Sequence, residues 1–143
     1  MSVHQISSFL ENRAGQLAQV TRVLADSKID MRALSIAETA DYGVLRLIVD
    51  DVDKATVVLL ENGYILSVTP VSVVPVPDQA GGLAPVLEAL SDAHIDIEYM
   101  YSLFTHREGT AYMVFRVSDE AKLTAVLAEK GITLADKDEL GLE

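Results

Sequence analysis

The sequence contains no cysteine. Disulfides, thiolate nucleophiles and cysteine metal sites are excluded together, and a reducing compartment, the cytoplasm, is expected. Basic residues are scarce: 11 Lys and Arg stand against 22 Asp and Glu, giving a net charge of −11. Nucleic-acid binding rests on neutralising phosphates with such residues, so no nucleic-acid partner is expected. The acidity serves solubility. No apolar run approaches the roughly 18–20 residues of a membrane span, so no membrane partner is expected either. Met1-Ser2-Val3-His4 lacks the basic stretch leading into an apolar one that marks a secretory signal. His4, His94 and His106 are scattered, with no spacing that converges on a metal. Asp50-Asp51-Val52-Asp53 lacks the alternating loop and closing Glu of a calcium site. Gly81-Gly82 belongs to no nucleotide fingerprint, and Ser7-Ser8 has no neighbouring base. No catalytic residue, metal ligand or cofactor is nominated, and the chain is not expected to be an enzyme.

What the sequence does hold is a duplication. Asn12-Arg13-Ala14-Gly15-Gln16-Leu17 is echoed by Asp78-Gln79-Ala80-Gly81-Gly82-Leu83. At the same offset Val20 falls on Val86, Leu24 on Leu90 and Ile29-Asp30 on Ile95-Asp96. Thr39 then meets Thr105, Gly43 meets Gly109, and Asp53-Lys54-Ala55 meets Asp119-Glu120-Ala121. Only near the end does the spacing slip, where Gly63 meets Gly131. A repeat of this length is a small domain, not a solenoid unit. Two domains are expected, 1–69 and 70–143. Half of the 143 residues are hydrophobic, more than modules this small need for their own cores. The excess points to burial between modules or between chains, hence to a homodimer.

Within the first copy, Ile6–Leu10 reads as a strand. Gly15–Ser27 reads as an amphipathic helix, with Leu17, Val20 and Leu24 at helical spacing. A second strand, about Met31–Glu38, turns through Ala40-Asp41-Tyr42-Gly43 into a third, Val44–Val49, as an antiparallel hairpin. Asp51 or Asp53 can cap a helix that stops at Gly63, and Tyr64–Val68 is the last strand. The second copy repeats the order. Its strands lie near Val71–Val76, Ile97–Phe104, Ala111–Val117 and Ile132–Leu134, and its helices near Gly82–Ala93 and Ser118–Lys130. Thr69-Pro70 is the only linker, and the residues after Asp136 are polar and expected to fray. The fold class is therefore α+β: two tandem ferredoxin-like βαββαβ modules, antiparallel sheets with helices on one face, packed side by side.

The strand-to-helix turn of each copy carries the chemistry. It ends at a helix N-terminus, where backbone N–H groups lack partners and the dipole favours an anion. Gly15, Gly81 and Gly82 have no Cβ, so a ligand can approach the backbone. Asn12 or Asp78 can accept a hydrogen bond from an ammonium group. Donors for a carboxylate beside an acceptor for an amine suit a free amino acid. The simpler reading is that Asn or Asp caps the helix and Gly relieves the turn. Ile97, Tyr99 and Tyr101 fall on one face of a strand, where tyrosines cover a sheet or line a pocket.

The βαββαβ order, the Asn/Asp-x-x-Gly-x-Leu turn and the Ile-Asp step before the second strand resemble the ACT domain, over both copies from about Val3 to Asp136. The resemblance implies domains paired side by side, often through the edge of the second strand. It implies a ligand, typically an amino acid, at the seam against the first turn and first helix. Carried across, it nominates Asn12, Arg13, Ala14, Gly15 and Leu17, and in the second copy Asp78, Gln79, Ala80, Gly81, Gly82 and Leu83. The second strand of an opposing copy supplies the facing wall: Ser35, Ile36 and Ala37, or Tyr99, Tyr101 and Ser102. The family often has Pro before the turn Gly, where this chain has Ala14 and Ala80. The copies also differ: Arg13 can pair with a carboxylate and Gln79 cannot do so as an ion.

The expected function is a non-catalytic, regulatory sensor that binds a free amino acid and acts on a protein partner or on its own assembly. A structural or protein-interaction module with no small ligand is the alternative. An enzyme on this fold needs an acid–base residue that the sequence does not name.

Overall fold

A computed structural model describes residues 2–11, 13–38, 41–105 and 107–143. The elements run β1 (Val3–Glu11), α1 (Gln16–Asp26), β2 (Met31–Glu38), β3 (Tyr42–Val49), α2 (Val52–Glu61), β4 (Leu66–Pro77), α3 (Ala84–Asp92), β5 (Ile97–Ser102), β6 (Thr110–Val117), α4 (Glu120–Glu129) and α5 (Lys137–Leu140). The chain divides into two compact units: His4–Pro70 with Gly141–Glu143, and Val71–Leu140 with the residues up to Val3.

In the first unit the strand order is β2-β3-β1-β4. Antiparallel pairing sets Ile6 against Leu47 and Leu34 against Leu47 from the other side. Period-two alternation sends Ile6, Leu10, Leu45, Leu47 and Val49 to one face, where they meet Val20 and Leu24 of α1 and Ala55 and Leu59 of α2. Those four helical residues recur at steps of four, which places them on one stripe of each helix. The second unit repeats the scheme. Its strand order is β4-β6-β5, and Val74, Val76, Phe115 and Val117 pack under Val86 and Leu90 of α3 and Leu123 and Leu127 of α4.

The repeat extends below the level of elements. Both second strands carry a register irregularity at the same place, between Met31 and Ala33 and between Ile97 and Tyr99. Both first helices end on a non-glycine left-handed residue, Lys28 at φ 58° and His94 at φ 56°. A long-range backbone bond closes each end, Ile29 N–H to Leu24 O and Ile95 N–H to Leu90 O, both 3.0 Å. Asp51 caps α2 and Asp119 caps α4, each accepting from the backbone N–H three residues on at 3.1 and 3.0 Å.

Several sequence expectations need correction. Thr69-Pro70 is not a linker but lies inside β4, so the two units share one strand. Asp50 bonds to Asp30 as Ser118 bonds to Asp96, so the extra two residues of the second copy already precede Ser118. They fall in the β5–β6 connection, a loop that tolerates insertion where a strand ladder does not. The true counterpart of the Asp119 cap is therefore Asp51, not Asp53. Gly43 sits in β3 and adopts no left-handed backbone; its bare Cα instead makes room for Ile36, whose Cγ2 lies 3.3 Å from where a Cβ would be. Ile132–Leu134 forms no strand; the neighbouring Ala135 makes one backbone bond to Val73 O at 2.9 Å. The tail does not fray either. Asp136 caps the Glu139 N–H at 2.8 Å, and Leu140 is buried, an apolar anchor in a polar run.

Candidate functional site

The first turn leaves β1 at Glu11, whose carbonyl accepts the Arg13 N–H at 2.9 Å. Gly15 stands at the N-cap of α1 with φ 88°, a left-handed conformation that costs glycine little. Its missing side chain leaves the first-turn N–H groups of α1 with no side-chain cap, whereas α2 and α4 are both capped by Asp. Nothing lies within 4 Å of where a Gly15 Cβ would be. The Arg13 guanidinium lies 3.2 Å from the Glu11 carboxylate. With the Gln16 amide turned to satisfy both of its atoms, its oxygen accepts from two Arg13 nitrogens at 2.9 Å each. The cation is therefore held at the mouth of the turn by two partners, at 65% side-chain exposure, open to a third.

A cleft of about 260 Å³ opens beside it, lined by Leu10, Glu11, Arg13, Gln16, Leu17, Ile36 and Gly43. A shallower one of about 250 Å³ is lined by Arg13, Ala14, Gly15, Gln16 and Gln19. The structure thus gathers Arg13, Ala14, Gly15, Leu17 and Ile36 around one turn. Ile36 comes from the same unit as the turn. Ser35 and Ala37 pair with Arg46 and Val44 and point to the other sheet face. Asn12 lies outside the described residues. Leu10, Glu11, Gln16 and Gly43 complete the lining and were not nominated from sequence. Alternation along β1 could have placed Leu10 on the helix side, but the Gln16–Arg13 contact had no sequence signal beyond proximity.

The second turn is built differently. The Asp78 N–H bonds to Gly109 O at 3.0 Å, the Gln79 N–H to Pro77 O at 2.9 Å and the Gly82 N–H to Gln79 O at 3.0 Å. Gly81 has φ 81° and open space around it, but Gly82 is buried against the Pro77 carbonyl, which occupies the place of a side chain. Close approach of a ligand to Gly82 is therefore blocked. α3 starts after Leu83, with no side-chain cap and with Pro85 in its first turn, which removes one N–H donor. Asp78, Gln79 and Ala80 are exposed. Tyr99 and Tyr101 stack with ring centroids 6.5 Å apart. They pair with Arg116 and Val114, whereas Met100 and Ser102 pair with Phe115 and Met113 on the helix-facing side. The tyrosines thus lie on the sheet face opposite α3. Ile97 is not on their face: the bulge between it and Tyr99 breaks the alternation.

Among the described residues no group of three or more His, Asp or Glu converges as a metal cluster, and no helix is long and apolar enough to cross a membrane. Tyr112, on β6, has its phenol pushed above the usual tyrosine value, first by burial and then by its hydrogen bond to Glu139 and that carboxylate's charge.

A family model described as an ACT domain pair matches residues 1–142. The chain is similar to protein BT0572 from Bacteroides thetaiotaomicron, with 42% identity and a TM-score of 0.89 over 99% of this chain and 96% of that one. The ligand-free regulatory subunit of aspartate kinase from Thermus thermophilus is 18% identical with a TM-score of 0.63, covering 89% of this chain and 91% of that one. A structure of aspartokinase alpha and beta subunits is 17% identical with a TM-score of 0.62, over 90% and 91%. These last two likenesses are of fold alone. No curated protein matches the chain. The chain belongs to the ACT domain pair family.

Proposed function

We propose that this ACT domain pair is a non-catalytic sensor that binds a free amino acid at the first turn and passes the binding on to a protein partner or to its own assembly. The observation that carries the reading is Arg13, fixed by Gln16 and Glu11 at the lip of a cleft beside the uncapped N-terminus of α1. A ligand carboxylate would take the guanidinium and the free N–H groups together. Its ammonium would find Glu11, and its side chain the apolar floor of Leu10, Leu17 and Ile36. The second turn, with Gln79 for Arg13 and Gly82 closed by Pro77, is the weaker site. Ser35, Ala37, Tyr99, Tyr101 and Ser102 join the site only if another domain brings them there.

The test is a thermal-shift screen of the purified chain against the twenty amino acids, repeated with Arg13→Ala. Binding to the folded state raises the midpoint by mass action, by about 2.7 kcal/mol of stability at a hundredfold excess over Kd. One amino acid, or one chemical group of them, should raise the midpoint of the wild type and not of the variant. A flat screen would sink the sensor reading and favour the interaction module without a ligand. Phe9, Val57, Leu60 and Ile65, all more than half exposed, give that second reading its support.

A further inference from the structure

A cleft of about 340 Å³ lies within the second unit, between β4, the N-terminal half of α4 and the segment 134–136. Three of its lining residues have apolar counterparts in the first unit. The Asp50–Asp30 and Ser118–Asp96 bonds align β3 with β6, so the pair Ile6–Leu47 matches Ser72–Phe115. The Asp51 and Asp119 caps match Val52 to Glu120. The Tyr64–Leu59 and Ile132–Leu127 bonds match Val68 to Asp136. In the first unit Ile6 is fully buried and Val52 packs against the same core. The second unit has a hydroxyl and two carboxylates in place of three apolar side chains, and no fourth strand to close the gap.

Ser72 shares the helix-facing side of β4 with Val74 and Val76 and lines the cleft. It is only 6% exposed, yet no described residue makes a hydrogen bond to its hydroxyl. Buried hydroxyls are as a rule paired, so this one calls for a partner that the fold does not supply. The rest of the wall is fixed. Ala135 is bonded to Val73 O at 2.9 Å, and Asp136 uses one carboxylate oxygen to cap the Glu139 N–H at 2.8 Å. Among the described lining residues two are acidic and none is basic. Arg116 reaches Glu120 at 3.5 Å but also pairs with Glu98 at 3.3 Å, so its charge is shared between two acids. Lys122 and Lys137 are not part of the lining. The positive end of α4 is offset by its own Asp119 cap.

We propose that this cleft is a second binding site, for a small aliphatic ammonium ion. Its N–H groups are shared among the Glu120 and Asp136 carboxylates and the Ser72 hydroxyl, and its carbon chain lies against Leu134 and Ala121. The volume suits a small organic ion better than a bare metal, which needs six or more oxygens drawn in around it. With no basic side chain in the lining, a ligand carboxylate has no partner here, so the site takes an amine and not an amino acid.

The test is amide chemical-shift mapping of the full chain, titrated at neutral pH with n-butylammonium chloride and, separately, with sodium chloride at the same ionic strength. The amine should give saturable shifts at Ser72, Thr124 and Ala135 that sodium does not give. Glu120→Gln and Asp136→Asn each remove one charge, and Asn keeps the cap on α5. Each should weaken the amine by about threefold to tenfold, and Ser72→Ala should weaken it as well. Unchanged melting of each variant shows that the fold is intact. Shifts that fail to saturate, that sodium reproduces, or that survive all three substitutions would overturn the proposal and leave Ser72 to an ordered water. Stronger shifts at the same amides from magnesium or calcium chloride would overturn it in favour of a metal ion. Arg13→Ala should leave the amine titration unchanged, so this proposal and the sensor reading fail independently.

Discussion

Substituting Gly82 with Ala should cost more than substituting Gly81, although backbone conformation alone ranks them the other way. Gly81 has φ 81°, where a side chain is strained, but open space surrounds it. Left-handed backbone costs an L-residue about 1–2 kcal/mol. Against this, Ala narrows the unfolded ensemble and returns about 0.4–1 kcal/mol. The net loss for Gly81→Ala is then about 0–1.6 kcal/mol. Gly82 has no positive φ, yet its added Cβ would overlap the Pro77 carbonyl oxygen and lie 3.0 Å from the carbonyl carbon and 3.2 Å from Gln79 O. None of these is the end of a flexible side chain. Pro77 pairs with Thr110 at the end of β4, and its carbonyl also accepts the Gln79 N–H, so moving it breaks the turn. Overpacking against a fixed neighbour costs about 1–3 kcal/mol or more, and this contact belongs at the upper end. The expected net loss is about 2 kcal/mol, or roughly 4–8 °C of midpoint for a chain of this size. Urea and thermal melts of the two variants decide it. A Gly82→Ala variant as stable as Gly81→Ala would refute the view that Pro77 fills the second turn.

The cap substitutions Asp51→Ala and Asp119→Ala should each lose about 1 kcal/mol by urea denaturation, because each removes the acceptor for a first-turn N–H. Lys28→Gly and His94→Gly should each gain stability of about 1 kcal/mol, since both residues occupy left-handed backbone at a helix end. Tyr112 holds its proton more tightly folded than unfolded, so its contribution is complete below the ordinary tyrosine value of about 10 and is lost as pH rises above it. Alkaline unfolding should therefore set in at higher pH in Tyr112→Phe, and an unchanged onset would remove Tyr112 from that transition.

Much of the fold was legible because it rests on periodicity. Leu17, Val20 and Leu24 announce α1, and the alternation of β1 and β3 announces their faces. Duplication doubled each signal. What stayed hidden depends on contacts that a period does not encode. The bulges of β2 and β5 shift one residue across the sheet, so Ile97 leaves the face of Tyr99 and Tyr101 with no change in residue type to mark it. The hairpin insertion in the second copy was placed too late, because matching glycines and acids tolerate a two-residue slip that strand pairing does not. Gly82 looked like access to backbone because its neighbour in space, Pro77, lies five residues away, on the far side of the turn. At the candidate site, Arg13 and Gly15 came from the motif. Gln16 and Leu10 entered only through the geometry that holds the guanidinium and floors the cleft.

The two copies share the same scaffold and differ at the turn before the first helix. α2 and α4 are capped by Asp in both, so the structural helix starts are duplicated intact. α1 and α3 lack a side-chain cap in both copies, so both leave the first-turn N–H groups without a side-chain acceptor. Beyond that the second copy closes its own turn: Pro85 deletes a donor, Pro77 fills the space at Gly82, and Gln79 stands where Arg13 carries charge. On the sensor reading proposed above, an open first turn beside a closed second one confines ligand binding to one copy, which two identical copies could not do. Binding at the first turn would then alter assembly only if the two packings differ in affinity for the ligand. Wild-type sedimentation with and without the amino acid found in the thermal screen measures that difference directly.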